Sequence, residues 1–176
     1  MNLTDDDFTL FGLPRSFALD RAALDERWRA LQARVHPDRF VSEGAAAQRL
    51  AMQWSVRVNE AYRRLKDPIA RATLLCELGG APLRAEENTA MPSAFLVQQM
   101  AWREALDEAG AAPGDERALQ ALEDEVANHE AALMQRLAGE LDVRSDVHAV
   151  AGTVRELMFV ARFREDVSHR RDALAA

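Results

Sequence analysis

The chain has 176 residues, 48% of them hydrophobic and 29% charged, with a formal net charge of −7, which is enough apolar material for one domain or two small ones, each with its own core. Its single cysteine, Cys76, excludes an internal disulfide framework and any all-cysteine metal or cluster site within the chain. Residues 1–75 carry 12 Arg and Lys against 10 Asp and Glu, while residues 76–176 carry 10 against 19; this asymmetry points to two units with different partners and argues against a nucleic-acid role, because the acidic half would repel phosphate.

Apolar runs stay short of membrane-spanning length, and residues 1–8, MNLTDDDF, are too acidic for a targeting segment. A cytoplasmic protein of bacterial type is the expectation, with no membrane partner. Abundant Ala, Leu, Glu and Arg favour helix, and no segment reads as strand. Thr4 is the expected cap of a first short helix, with Asp7 three residues on, ended by Gly12 and Pro14. Asp20 caps a second helix, in which Leu24, Trp28, Leu31 and Val35 fall within roughly 60° on a wheel of about 100° per residue. Trp28 therefore reads as core before it reads as partner contact. Pro37 ends that helix, because the residue before a proline avoids the α region.

A third helix carries Leu50, Trp54, Val58, Ala61 and Leu65 at helical spacing, and a fourth starts with Asp67 as cap and Pro68 at its first position. Residues 79–92, GGAPLRAEENTAMP, have linker composition. Beyond them come segments at about 93–109, 115–138 and 145–171, separated by GAAPGD and GELDVRS; three antiparallel helices on short loops make a three-helix bundle. In the first of these, Phe95, Trp102, Leu106 and Ala109 cluster on one side. Leu96, Met100 and Val97 lie at about 100°, 140° and 200° from Phe95, alongside Glu104. In the last, Val147, Val150, Val154, Leu157, Met158 and Ala161 are the expected buried stripe, with Phe159 and Phe163 on the opposite side. A second apolar face on two helices implies another surface to cover: the first unit, a second copy, or a client. Glu104 and Glu108 give it an acidic rim suited to a client with basic groups around an apolar spot.

The stretch LQARVHPDRF, residues 31–40, breaks the second helix on His36-Pro37-Asp38. Taken alone, the tripeptide is a helix stop with a solvated His–Asp pair. An enzymatic reading makes His36 a base oriented by Asp38, yet no nucleophile or further ligand stands at a telling spacing, and His129, His148 and His169 form no metal-site pattern. Its context is more informative. The helix before it bears Arg27 and Arg34 on one flank and Arg29 on another, and Arg39 follows it, a positive surface suited to an acidic protein partner.

FTLFGLP at 8–14, the basic helix, His36-Pro37-Asp38, and Asn59-Glu60-Ala61-Tyr62 followed by Leu65, Asp67-Pro68 and Arg71 together resemble the J domain of the DnaJ family. The resemblance implies that His36, Pro37 and Asp38 contact an ATP-driven chaperone and stimulate its ATP hydrolysis, with Arg29, Arg34 and Arg39 as electrostatic support. The Gly/Phe-rich and zinc modules of general DnaJ-type proteins are missing. Instead, residues 93–109, SAFLVQQMAWREALDEA, and the later TVRELMF resemble the HscB family, the dedicated co-chaperones of iron–sulfur cluster biogenesis. That resemblance spans essentially the whole chain. It implies an all-α fold, with a J domain at 1–75, a helix end and linker at 76–92, and a scaffold-binding three-helix bundle at 93–176. It also implies an adaptor without catalysis, metal or cofactor. Its partners would be an HscA-type chaperone and an IscU-type scaffold protein, the latter bound by Leu96, Val97, Met100, Glu104 and Phe159. Ala101 departs from the charged residue expected there. Three alternatives stay open: a general J protein with another client, an oligomerisation module that self-associates through its apolar faces, and an enzyme using His36 and Asp38.

Overall fold

The computed structural model describes residues 2–80, 91–109, 116–144 and 147–175, with helices and no strand among them. The chain divides into two compact units, Met1–Leu78 and Gly79–Ala176. No helix among the described residues is long and apolar enough to cross a membrane. Residues 81–90 of the expected linker and 110–115 of the first inter-helix break lie outside the described residues.

The first unit opens with α1 (Asp7–Phe11). Its cap is Asp6, not Thr4: the Asp6 carboxylate accepts the N–H groups of Phe8 and Thr9, both at 3.1 Å, while the Thr4 N–H is held by the Asn2 side chain. Asp7 is not the reciprocal half of a capping box either. It is fully buried and paired with Arg57 and Arg64 of the third helix, each at 2.8 Å, and two guanidiniums offset the cost of burying that carboxylate. The helix ends at Gly12 in the left-handed region, φ 60°, with the Leu13 N–H reaching the Phe8 carbonyl and the Gly12 N–H reaching that of Thr9. The positive φ favours glycine there, and a Cβ would also push on the Arg27 guanidinium, 2.8 Å away.

Burial pushes the Asp6 carboxyl up, but hydrogen bonds from the Arg15 guanidinium, the Thr9 hydroxyl and the Thr9 N–H outweigh it and hold the pKa at about 2, below the ordinary 3.8. The unfolded chain therefore binds more protons than the folded one between those values. The contribution of Asp6 is complete above pH 3.8 and disappears as pH falls toward 2. Asp6→Ala is expected to cost about 1 kcal/mol at pH 7. In urea titrations the gap from the parent chain should narrow steadily below pH 4, and a gap of constant size down to the lowest pH at which both fold would refute the assignment.

α2 (Arg21–Val35), capped by Asp20, and α3 (Ala45–Lys66) form an antiparallel hairpin, and α4 (Pro68–Leu78) follows, its first turn capped by Asp67. Phe8, Phe11, Leu24, Leu31, Val35, Val58, Ala61, Leu65 and Leu74 are the core. The seam on α3 runs Ala51, Trp54, Val58, Ala61, Leu65, so Ala51 takes the place expected of Leu50, which is 49% exposed. The steps of three and four keep one seam facing α2, and a small residue there lets the helices approach. Trp28 is half-buried and stacks on Tyr62, ring centroids 4.7 Å apart, with its indole N–H on the Asn59 side-chain oxygen at 3.0 Å. Buried Arg71 donates to the carbonyls of Phe17 and Leu65. Burial pushes the Cys76 thiol up to about 11, with Glu77 adding to the shift, so this cysteine stays protonated and packs as a small apolar side chain.

The second unit is α5 (Ser93–Ala109), α6 (Glu116–Ala138) and α7 (Val147–Ala175). GELDVRS is only partly a break: Gly139–Val143 continues α6 as a π-helical turn, closed by the Arg144 N–H on the Gly139 carbonyl at 3.1 Å. The turn carries Glu140 inward, where the Thr153 hydroxyl donates to it at 3.2 Å; Arg136 in turn donates to Thr153 at 2.8 Å and to Glu156 at 3.0 Å. Glu130 with Arg164 and Glu123 with Arg171 continue this ladder along the antiparallel α6–α7 pair. Gln98 and Trp102 both donate to Glu125 at 2.8 Å and tie α5 to α6.

α7 departs from its expected stripe at Met158 and Phe163, and Ala161 is only half-buried. Met158 is 45% exposed, and Phe163, expected on the outer side, is 3% exposed. Each helix of a three-helix bundle faces two neighbours, so its buried arc is wider than one stripe. Val150, Val154, Leu157 and Val160 sit in that arc, and Phe163 turns to α5, stacked on Trp102 at 5.7 Å. The side chain of Val147 lies outside what is described.

Candidate functional site

Two surfaces carry the residues singled out from the sequence, one in each unit. The first is the tip of the α2–α3 hairpin. His36 closes α2 in extended conformation, φ −60° and ψ 127°, as the following proline requires, and a 3₁₀ segment, Pro37–Glu43, leads into α3. The Asp38 N–H donates to His36 Nδ1 at 3.3 Å, so the imidazole caps the 3₁₀ turn and the Asp38 carboxylate, 3.6 Å from Nδ1 and 86% exposed, is left facing solvent. This geometry presents the Asp38 carboxylate and an edge of the His36 ring at the surface of the loop.

The arginines divide. Arg29 and Arg34 are exposed on α2 and are available to an acidic partner. Arg39 folds back to donate to the Ala33 carbonyl at 2.9 Å, which ties the loop to α2. Arg27 is committed inside the unit, donating to the carbonyls of Phe11 and Gly12. Beside them on α2, the Asp25 carboxyl is held below its ordinary range, first by the Arg21 guanidinium and then by the Tyr62 hydroxyl.

The second surface is on α5. Phe95, Trp102, Leu106 and Ala109 are buried, as the wheel requires, which leaves Leu96, Val97 and Met100 at 45%, 67% and 72% exposure. Glu104 and Glu108 are exposed beside them. Phe159 on α7 is half-buried, edge-on to Phe95 at 5.6 Å, with the Arg103 guanidinium 5.8 Å from its ring centroid. Held between Phe95 and Arg103, it borders the flank of α5 on which Leu96 and Met100 project. Val97 and Glu104 lie farther round the helix.

Beneath the patch is an aromatic cluster that sequence reading missed. His129 of α6 stacks on Phe95 at 5.5 Å and stands edge-on to Trp102 at 5.1 Å, with Nε2 buried and, among the described residues, without a hydrogen-bond partner. Its signal was its place in the 119, 122, 126, 129, 133 series, where steps of three and four mark a core seam. Ring pairs contribute roughly 0.5–1.5 kcal/mol each beyond area burial, so the floor under the exposed residues is stiff. Among the described residues, no three His, Cys, Asp or Glu side chains are placed to hold a metal ion.

Among the described residues, the first unit holds a helical hairpin tipped by His36-Pro37-Asp38 and the second a three-helix bundle. The family model described as the HSCB C-terminal oligomerisation domain matches residues 91–168. A co-chaperone protein HscB homologue of Bordetella avium is 50% identical over 164 residues, 93% of this chain and 96% of that protein. One from Burkholderia multivorans is 50% identical over 167 residues, covering 95% and 94%. Among solved structures, the chaperone HscB from Vibrio cholerae matches with a TM-score of 0.84 at 35% identity, covering 97% of this chain and 99% of that one. Human co-chaperone HscB matches with a TM-score of 0.87 at 25% identity, covering 97% and 84%. The chain belongs to the HscB family of co-chaperones.

Proposed function

We infer that the chain is a non-enzymatic cytoplasmic adaptor, without cofactor, that brings an IscU-type iron–sulfur scaffold protein to an HscA-type ATP-driven chaperone. The bundle at 93–176 holds the scaffold through Leu96, Val97, Met100, Glu104 and Phe159. The J domain at 1–75 contacts the chaperone through His36, Pro37 and Asp38, with Arg29 and Arg34 steering the encounter and Arg39 holding the loop. Residues 76–92 end the first unit and connect it to the second. The observation that carries this reading is the solvent-facing apolar row Leu96, Val97, Met100 on a helix whose other side is fully packed. A contiguous solvent-facing apolar row of this kind marks a binding surface, and the HscB membership of the chain supports a client of cluster assembly.

The mechanism is linkage. Tethering raises the concentration of scaffold near the chaperone, and loop contact that favours the hydrolysis-competent state makes cargo capture and ATP turnover coincide. Purified IscU-type scaffold titrated calorimetrically into the full chain should bind saturably at one site per chain. The chain should also raise ATP turnover by an HscA-type chaperone, and more so with scaffold present. A flat titration would remove the client, and an unchanged turnover rate would remove the chaperone coupling.

The name of the matching family model, an oligomerisation domain, favours a second reading, in which the α5 row is covered by another copy of the chain. Light scattering then gives a dimer mass, and Met100→Glu returns it to the monomer.

A further inference from the structure

A groove of about 820 Å³ runs between α5 and α7, continuous with the α5 row through Phe159, with Leu106 and Phe163 among its lining residues. Arg103 and Asp107 line its α5 side, and Arg162, Asp166 and Arg170 its α7 side. Four of the α7 arginines fall into two sets. Arg164 and Arg171 turn to α6 and pair with Glu130 and Glu123. Arg162 and Arg170 turn to the groove, and among the described residues neither they nor Arg103 has a carboxylate at ion-pair distance. Three guanidiniums against two carboxylates leave the groove positive, whereas Glu104 and Glu108 make the far flank of α5 negative. The apolar row therefore lies between an acidic edge and a basic one.

We propose that this groove takes an acidic segment of the same client that seats its apolar residues on Leu96, Val97 and Met100, with Arg103, Arg162 and Arg170 receiving its carboxylates. The proposal rests on the client reading above and adds the direction in which the client lies. Guanidiniums suit carboxylates because their planar donors match two oxygens at once. Asp107 and Asp166 make the match selective, since they repel any carboxylate not aligned with an arginine.

The test is calorimetric titration of the IscU-type scaffold into the full chain at pH 8. Three variants are compared with the parent at low and high salt: Arg162→Gln with Arg170→Gln, Arg162→Lys with Arg170→Lys, and, as a control on the α6-facing side of α7, Arg164→Gln with Arg171→Gln. The groove Gln variant is expected to bind roughly tenfold more weakly at low salt, with a smaller deficit at high salt. The Lys variant, which keeps the charge but loses the planar fork, should fall between the Gln variant and the parent, and the control should keep all of the affinity. Unchanged or tighter binding by the groove Gln variant would overturn the proposal, as would an equal loss in the control, which would mean bulk charge and not the groove. Failure of the parent chain to bind removes the client reading and this proposal together, and is told apart because it precedes any comparison of variants.

Discussion

The Leu96→Ser, Phe159→Ser double variant is expected to bind the scaffold protein at least about a hundredfold more weakly than the parent chain. Burying a leucine or phenylalanine side chain contributes about 1.5–3 kcal/mol, and losing most of that at two positions gives a factor of 10² or more. The two positions differ in what else they do. Leu96 is 45% exposed and lies outside the core, so its replacement should leave the fold almost untouched. Phe159 packs on Phe95 and Phe163, centroids 5.6 and 6.0 Å apart, so its loss should lower the melting temperature as well. Leu96→Ser alone is therefore the cleaner arm. It should weaken binding roughly tenfold with an unchanged melt, and parental binding by a folded double variant would place the client elsewhere on the chain.

His36→Gln should return chaperone ATP turnover to its basal rate while scaffold affinity stays within about twofold of the parent, since mutations in separate units act independently. His36 Nδ1 accepts the Asp38 N–H, and Pro37 fixes one backbone dihedral, so the loop is ordered before it meets a partner and loses little entropy on docking. Glutamine keeps polarity but not the planar ring that both caps the turn and offers its edge. The variant should therefore fail in chaperone coupling and not in folding, because no core residue lies in the 3₁₀ segment. Full stimulation by this variant, measured as phosphate release at saturating chain, would take the loop out of the chaperone contact.

Much of the α2–α3 hairpin was legible in the sequence because its signals are local. Asp20 and Asp67 cap helices, Pro37 stops one, and each acts through the backbone a few residues away. The apolar side of α5 was legible too, since Phe95, Trp102, Leu106 and Ala109 share one narrow arc. The misreadings share a cause: they concern contacts between elements distant in the chain. Thr4 and Asp7 have the spacing of a capping box, yet Arg57 and Arg64 claim Asp7 from a helix fifty residues on. Leu50 fits an ideal wheel, but a seam shared by two helices advances by alternating threes and fours, and Ala51 takes the place.

For the two candidate surfaces, local pattern showed that Leu96, Val97 and Met100 oppose a packed face, and charge counting showed that the two units differ in sign. These follow from helix geometry and composition alone. Only the tertiary structure decided which arginines are committed inside the fold, Arg27 to the end of α1 and Arg164 to Glu130, and which face solvent. It alone turned Phe163 inward onto Trp102 and left Phe159 at the border of the patch. Helix periodicity says which residues share a side; which side meets a neighbour is set by the packing of three helices at once, and a single helix does not encode the position of the other two.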